Sequence, residues 1–398
     1  MIKHKKSILC LILLIFSVTS LNMRFIIAID ARDYWPTVDW LSSTPESQNM
    51  NTTLLNSMIS YIYDQEYAFD SIIVVRHGYM VLEEYPNPRY TSDDLHILYS
   101  VTKSFTSALI GIAIDLGYIE SVDQKLIDFF PNTTILNLDS RKEEITLRHL
   151  LTMSAGFEWE GPDDMSHTWG DAVLSRDPIE FILNQPMDYE PGTHWYYNGG
   201  CSHLLSAILT RVTGNSTLDF AKKYLFKPLN ITDVYWPKDP QGIYYGGQDI
   251  RLTPPDMAKF GYLFLNNGTW DNEQIISQEW VFESTRTSFS FNPNEGYGYQ
   301  WWTYPSLNAY FAYGFDEQRI IVLPEQDLVV VFTSEIQDAR IEPDLLLKYI
   351  LPAVLDKDFS TVSVHETGVN PVLFTIINLI GISLIYLLYT TQRRERKS

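Results

Sequence analysis

The chain carries little that could hold a metal or a covalent staple. Only two cysteines stand among 398 residues, Cys10 inside an N-terminal apolar run and Cys201 far along the chain. That is no disulfide or thiolate framework. Neither Cys-x-x-Cys nor His-Glu-x-x-His occurs, so the sequence offers no metal signature and implies no cofactor. Positive charge is also scarce. The 29 Lys and Arg face 49 Asp and Glu, a formal net charge of −20, which argues against nucleic acid as a partner. No internal repeat and no low-complexity segment is found.

What is present is a globular composition, 45% hydrophobic and 14% aromatic. The two ends differ from the middle. Lys3, Lys5 and Lys6 precede an apolar run from Ile8 to Val18, the pattern of a secretory signal or a signal anchor over residues 1–29. Small residues from Ser17 to Ser20 allow cleavage, and the apolar stretch Phe25 to Ile29 allows retention. Pro371 to Thr390 lacks any charged residue and is long enough to span a bilayer. Arg393, Arg394, Arg396 and Lys397 follow it, which places the short tail 391–398 in the cytoplasm. Residues 357–370 read as a polar stalk. The middle of the chain is then expected outside the cell membrane. Five Asn-x-Ser/Thr sequons, at Asn51, Asn132, Asn215, Asn230 and Asn267, agree with that topology.

Residues 30–356 form the expected globular domain. Ser71 to Arg76 and Tyr79 to Tyr85 read as a hairpin turning at His77-Gly78. Arg319 to Leu323 and Leu328 to Thr333 read as two more strands, with Pro324 to Asp327 as their turn. Helical patterns fill the middle, one of them capped by Thr146, and Ile341 to Leu355 reads as a closing helix. Strands at both chain ends with helices between predict an α+β, layered α/β/α architecture, its antiparallel sheet built from both ends around a mainly helical insertion.

Ser100-Val101-Thr102-Lys103 opens a helical run that extends to Gly117. Residues three apart share a helix face, so the hydroxyl and the amine point the same way. A neutral serine needs a neighbouring base to act as a nucleophile, and unpaired N–H groups at a helix start favour negative charge developing nearby. A second loaded stretch runs from Glu190-Pro191-Gly192-Thr193 to Trp195-Tyr196-Tyr197-Asn198-Gly199. A tyrosine oxygen beside a lysine can move protons, although Tyr196 and Tyr197 also fit as packing aromatics. Trp159, Trp169, Trp195, Trp301 and Trp302 fit either a pocket lining or the core.

These stretches, with Leu147 to Gly156, Leu252 to Gly261 and Tyr297 to Trp302 in the same order, resemble the serine β-lactamase and penicillin-binding-protein superfamily. Within it the pattern is most similar to the branch of class C β-lactamases, related esterases and 6-aminohexanoate-dimer hydrolases. The resemblance covers about residues 50 to 355. It implies that Ser100 forms an acyl-enzyme and that Lys103 accepts or tunes its proton. It implies a catalytic tyrosine at Tyr197 when counted from Pro191-Gly192-Thr193, with Tyr196 and Asn198 the alternative by the Tyr-x-Asn form. It implies a substrate-facing strand at Gly314, with an oxyanion-binding N–H near Phe315. The family's cation on that strand is replaced by Ala312, which weighs against β-lactam and D-Ala-D-Ala substrates. The expected activity is hydrolysis of a small or peptide-like amide or ester by a membrane-anchored, outward-facing enzyme. The alternatives are a binding protein on the same fold, or a β-lactamase or D-Ala-D-Ala-type peptidase.

Overall fold

The computed structural model describes residues 32–160, 167–336 and 341–355. The terminal runs at 1–29 and 371–390, the stalk and the basic tail lie outside the described residues. Among the described residues no helix is long and apolar enough to cross a membrane.

Eight antiparallel strands form the main sheet, numbered here in chain order: β1 (Phe69–Arg76), β2 (Tyr79–Glu84), β3 (Phe289–Asn292), β4 (Glu295–Tyr297), β5 (Trp302–Tyr304), β6 (Ala309–Gly314), β7 (Gln318–Leu323) and β8 (Leu328–Ser334). Their spatial order is β2-β1-β8-β7-β6-β5-β4-β3. The two chain ends therefore meet at the β1–β8 pair, in the register Ile72↔Phe332 and Val74↔Val330. Ser71 and Thr333 join hydroxyls across that seam at 2.6 Å. The β1–β2 turn falls at His77 (φ 52) and Gly78 (φ 86). Two positive φ values in a row are what a tight two-residue hairpin needs.

Every residue of β1 is buried, because both faces of the sheet are covered, and its centre from Ile72 to Val75 is an unbroken apolar run. Alternation still sorts its side chains. Ile73 and Val75 enter one core with Val329 and Val331, while Ile72 and Val74 enter a second with Val330 and Phe332. The second core is closed by helix α1 (Thr52–Asp64), through Leu55, Met58 and Ile62, and by the C-terminal helical segment, through Leu345, Leu346 and Ile350. That segment contains a π-turn at Leu346–Ile350, so the expected single helix is interrupted. Each such fully buried aliphatic side chain contributes about 1.5–3 kcal/mol relative to exposure.

The first core lies under helices α2 (Thr102–Asp115), α3 (Leu147–Leu151), α4 (Gly199–Thr213) and α5 (Pro254–Leu265). Helix α2 is buried from Thr102 to Ala113. Helix α5 lies directly on the sheet, and Gly261 makes this possible. A Cβ there would come within 2.7 Å of Val329 and 2.8 Å of Ile320. The architecture is thus the expected α+β fold with an antiparallel sheet from both chain ends. The short strands β3, β4 and β5, which extend the sheet to eight, carry no apolar run long enough to show in the sequence.

Candidate active site

Helix α2 begins at Thr102, two residues later than the sequence suggests. Tyr99–Val101 form a 3-10 turn in front of it, and Ser100 sits in that turn. Tyr99 has φ 43, a left-handed conformation rare for an aromatic residue. Its carbonyl is held by the Thr102 hydroxyl at 2.6 Å and by the Asp249 N–H at 3.2 Å. Thr102 Oγ1 in turn accepts from Ile250 N–H at 3.1 Å. The turn that presents Ser100 is therefore fixed from outside its own helix.

Lys103 is buried, 3% exposed. Its Nζ donates to Ser100 Oγ at 3.0 Å and to the Gly247 carbonyl at 2.9 Å. The same Nζ lies 4.7 Å from the centre of the Tyr197 ring. The structure thus brings Ser100, Lys103 and Tyr197 together. Tyr196, 39% exposed, turns outward, and its N–H donates to the Met153 carbonyl at 2.8 Å. Asn198 is buried, and its Oδ1 accepts from Cys201 N–H at 3.2 Å as the N-cap of α4. Its amide is occupied in starting the helix that carries Tyr197 at its mouth.

The Leu147-to-Gly156 motif forms the shelf beneath this loop. The Ser154 carbonyl accepts from Gly192 N–H at 2.8 Å. His149 Nδ1 accepts from Thr146 N–H at 3.1 Å, which sets the neutral ring with its proton on Nε2. Burial, with the Arg148 guanidinium beside it, holds His149 below its ordinary pKa.

Gly314 ends β6 against the turn that presents Ser100. A Cβ on it would lie 2.3 Å from the Leu98 carbonyl oxygen, so only glycine allows this approach. Phe315 is 40% exposed and meets the Tyr99 ring edge-on at 5.6 Å. Ala312 is fully buried. Of the five tryptophans, Trp159, Trp169 and Trp301 belong to the core, Trp301 stacking on Phe260 at 5.8 Å. Trp302 stands 6.0 Å from Tyr197, and Trp195 packs on Phe291 at 4.6 Å, so these two flank the site.

Three contributors are not singled out by the sequence reading, although one of them, Gln300, lies inside the Tyr297-to-Trp302 motif. The Gly246-Gly247 pair approaches α2 and α4 closely. A Cβ on Gly246 would meet the Ser202 carbonyl at 2.1 Å, and Thr106 Oγ1 donates to the Gly246 carbonyl at 2.7 Å. A glycine doublet after two tyrosines is the one signal that marks it. Gln300 (φ 63, buried) ties three helices together. Its Nε2 donates to the Leu150 and Leu151 carbonyls, while its own oxygens accept from Ser202 and Ser104. Asp249 lies within electrostatic reach of Lys103. Burial raises its carboxyl above the ordinary range, while Lys103 and Arg251 pull it down. Among the described residues no cluster of His, Cys, Asp and Glu is arranged to hold a metal ion.

A hydroxyl, a buried amine and a phenol ring within a few ångströms, beside a strand end, form an arrangement suited to acyl transfer. The family model described as beta-lactamase matches residues 64–347. The 6-aminohexanoate-dimer hydrolase of Paenarthrobacter ureafaciens is 26% identical over 297 residues, covering 69% of this chain and 74% of that protein. The lovastatin esterase of Penicillium rubens is 25% identical over 194 residues, 44% of this chain and 48% of that one, so the match spans about half of its length. The octameric penicillin-binding protein homologue from Pyrococcus abyssi superposes with a TM-score of 0.58 at 22% identity, over 74% of this chain and 77% of that one. The last comparison bears on the fold alone.

Proposed function

The chain belongs to the beta-lactamase family, and on that premise we propose that this hydrolase opens an amide or ester bond through an acyl-enzyme on Ser100. The observation that carries the reading is the 3.0 Å contact between Ser100 Oγ and Lys103 Nζ. In the reacting state Lys103, as the amine, takes the hydroxyl proton while Oγ adds to the substrate carbonyl. Backbone N–H groups of Ser100 and Phe315 receive the negative charge of the tetrahedral oxygen, worth about 3–4 kcal/mol per donor in comparable sites. Tyr197 gives its phenolic proton to the leaving amine or alcohol and takes back the one held by the Lys103 ammonium, so both groups return to their starting states. Water then enters by the same route and frees the acid.

Ala312, buried where a substrate-carboxylate-binding cation stands in β-lactam enzymes, favours substrates lacking that carboxylate. A β-lactamase or D-Ala-D-Ala peptidase is the second reading, and nitrocefin turnover would favour it. A purely binding protein is the third. We further propose, on the terminal sequence runs alone, that the domain is anchored by residues 371–390 and faces outward. Glycosidase sensitivity and protection of the basic tail from added protease on intact cells are its test.

Hydrolysis of p-nitrophenyl acetate and butyrate by the full chain, wild type beside Ser100→Ala, tests the acyl-serine reading. Turnover that falls at least about 10³-fold in the variant supports it, given the loss expected when a nucleophile is removed. Equal turnover by both folded proteins overturns it.

A further inference from the structure

The chain from Gly246 to Ile250 runs along the start of α2 and is tied to it by four of its five residues. Thr106 Oγ1 donates to the Gly246 carbonyl, and Lys103 Nζ to the Gly247 carbonyl at 2.9 Å. A Cβ on Gly247 would lie 3.4 Å from that nitrogen. Asp249 N–H donates to the Tyr99 carbonyl at 3.2 Å, and Ile250 N–H to Thr102 Oγ1 at 3.1 Å. Successive Cα atoms are about 3.8 Å apart, so residue 249 is pinned beside the turn that carries Ser100 and Lys103.

Its side chain is placed as firmly. Trp169, 6% exposed, donates its indole N–H to Gln248 Oε1 at 2.8 Å. That leaves the Gln248 amide nitrogen as the donor to the Asp249 carboxylate. The same carboxylate is within electrostatic reach of Lys103 and Arg251, and of Tyr99 and Tyr245. The other groups facing this pair are the Tyr197 ring, 4.7 Å from Lys103 Nζ, with Asp316 and Glu335 beyond Tyr99 and Asp239 beyond Tyr245. Neither backbone nor burial accounts for an acid at 249. The φ of 70 is one that glycine adopts more readily, and burial pushes the carboxyl above its ordinary range. Lys103, then Arg251, draw it back down. Lys103 is itself 3% exposed, and an ammonium so buried needs a counter-charge.

We infer that Asp249 is a positioning residue for the proposed reaction, the counter-ion that keeps the resting Lys103 an ammonium directed at Ser100 Oγ. The inference rests on the acyl-serine reading for its bearing on catalysis, and on the packing around α2 for the ion pair. Lys103 serves as a base only after its extra proton has left to solvent. Turnover therefore rises with pH as the lysine titrates, and Asp249 sets that rise at a higher pH than a neutral residue would.

The test reads the lysine and the reaction separately. The full chain in neutral detergent, isotope-labelled at the lysine ε-carbons, is titrated by NMR, the Lys103 signal being the one missing from Lys103→Arg. Its midpoint is expected to fall by about one pH unit in Asp249→Asn, the effect of removing one close opposite charge. Asparagine tolerates the left-handed backbone at 249, and Asp249→Gly, better suited still to that conformation, is the second variant should the first fail to fold. The acid limb of kcat/KM for p-nitrophenyl butyrate should move down with the NMR midpoint. A midpoint unmoved in both variants, or a lower kcat/KM plateau with the limb unmoved, overturns the counter-ion role. A moved midpoint with ester turnover independent of Ser100 would overturn the acyl-serine reading and leave the ion pair standing by itself.

Discussion

Two adjacent tyrosines differ in what they touch. Tyr197 lies under Lys103 Nζ, whereas Tyr196 is turned outward. The sequence motif left both open because a one-residue shift in a loop is invisible without the partner lysine. Tyr197→Phe is expected to lower kcat by about 10²–10⁴-fold, the ordinary worth of a proton-transfer group. Tyr196→Phe is expected to leave kcat within about twofold, since its side chain is 39% exposed. Steady-state kinetics of the two variants on one ester decide it, and equal losses would place the proton path elsewhere. Ser100 and Lys103, by contrast, could be read directly, because three-residue spacing at a helix mouth fixes their proximity without help from the fold.

At the scale of elements, α4 starts where the site needs it to. Asn198 caps its first turn, one residue after Tyr197. Asn198→Ala should cost about 1 kcal/mol, the usual value for an N-cap, read as a lower urea midpoint with the slope unchanged. Helix α5 is placed by contact with the sheet, and Gly261→Ala should cost about 1–3 kcal/mol through overpacking against Val329 and Ile320. A urea midpoint equal to wild type would show that the helix can lift away. The hairpin β1–β2 and the strands β7 and β8 were readable from apolar runs and turn residues. Strands β3 to β5 were not, because they are short and aromatic-rich, and only β5 pairs directly with β6.

The whole molecule holds its C-terminal segment against the sheet through a buried charge cluster. Arg319 donates to Glu317 at 2.7 and 3.0 Å, Tyr313 donates to Glu317 at 2.7 Å, and Glu342 is fully buried beside them. Burial, then the neighbouring Glu317, pushes the Glu342 carboxyl up to about 9. A carboxyl raised in the folded state binds more protons there than in the unfolded chain. The stability this gives is complete below the unfolded value of 4.5 and is lost as pH rises towards about 9. Glu342→Gln should therefore raise the melting temperature relative to wild type at pH 8 and change it little at pH 4.5. Identical melting differences at the two pH values would show that the Glu342 carboxyl titrates alike in the folded and unfolded chain.

The sequence by itself determined the pairing of Ser100 with Lys103, the hairpin and strands of the sheet centre, and the order of the motifs around them. All of these rest on local spacing or on runs of one residue type. Only the tertiary structure decided which tyrosine stands beside Lys103 and that Gly247 and Gln300 frame the site. Those contacts join residues roughly a hundred or more positions apart, through backbone carbonyls and close glycine approaches. Such contacts leave no periodic trace in the chain, because any residue has a carbonyl and a glycine shows its purpose only when something packs against it.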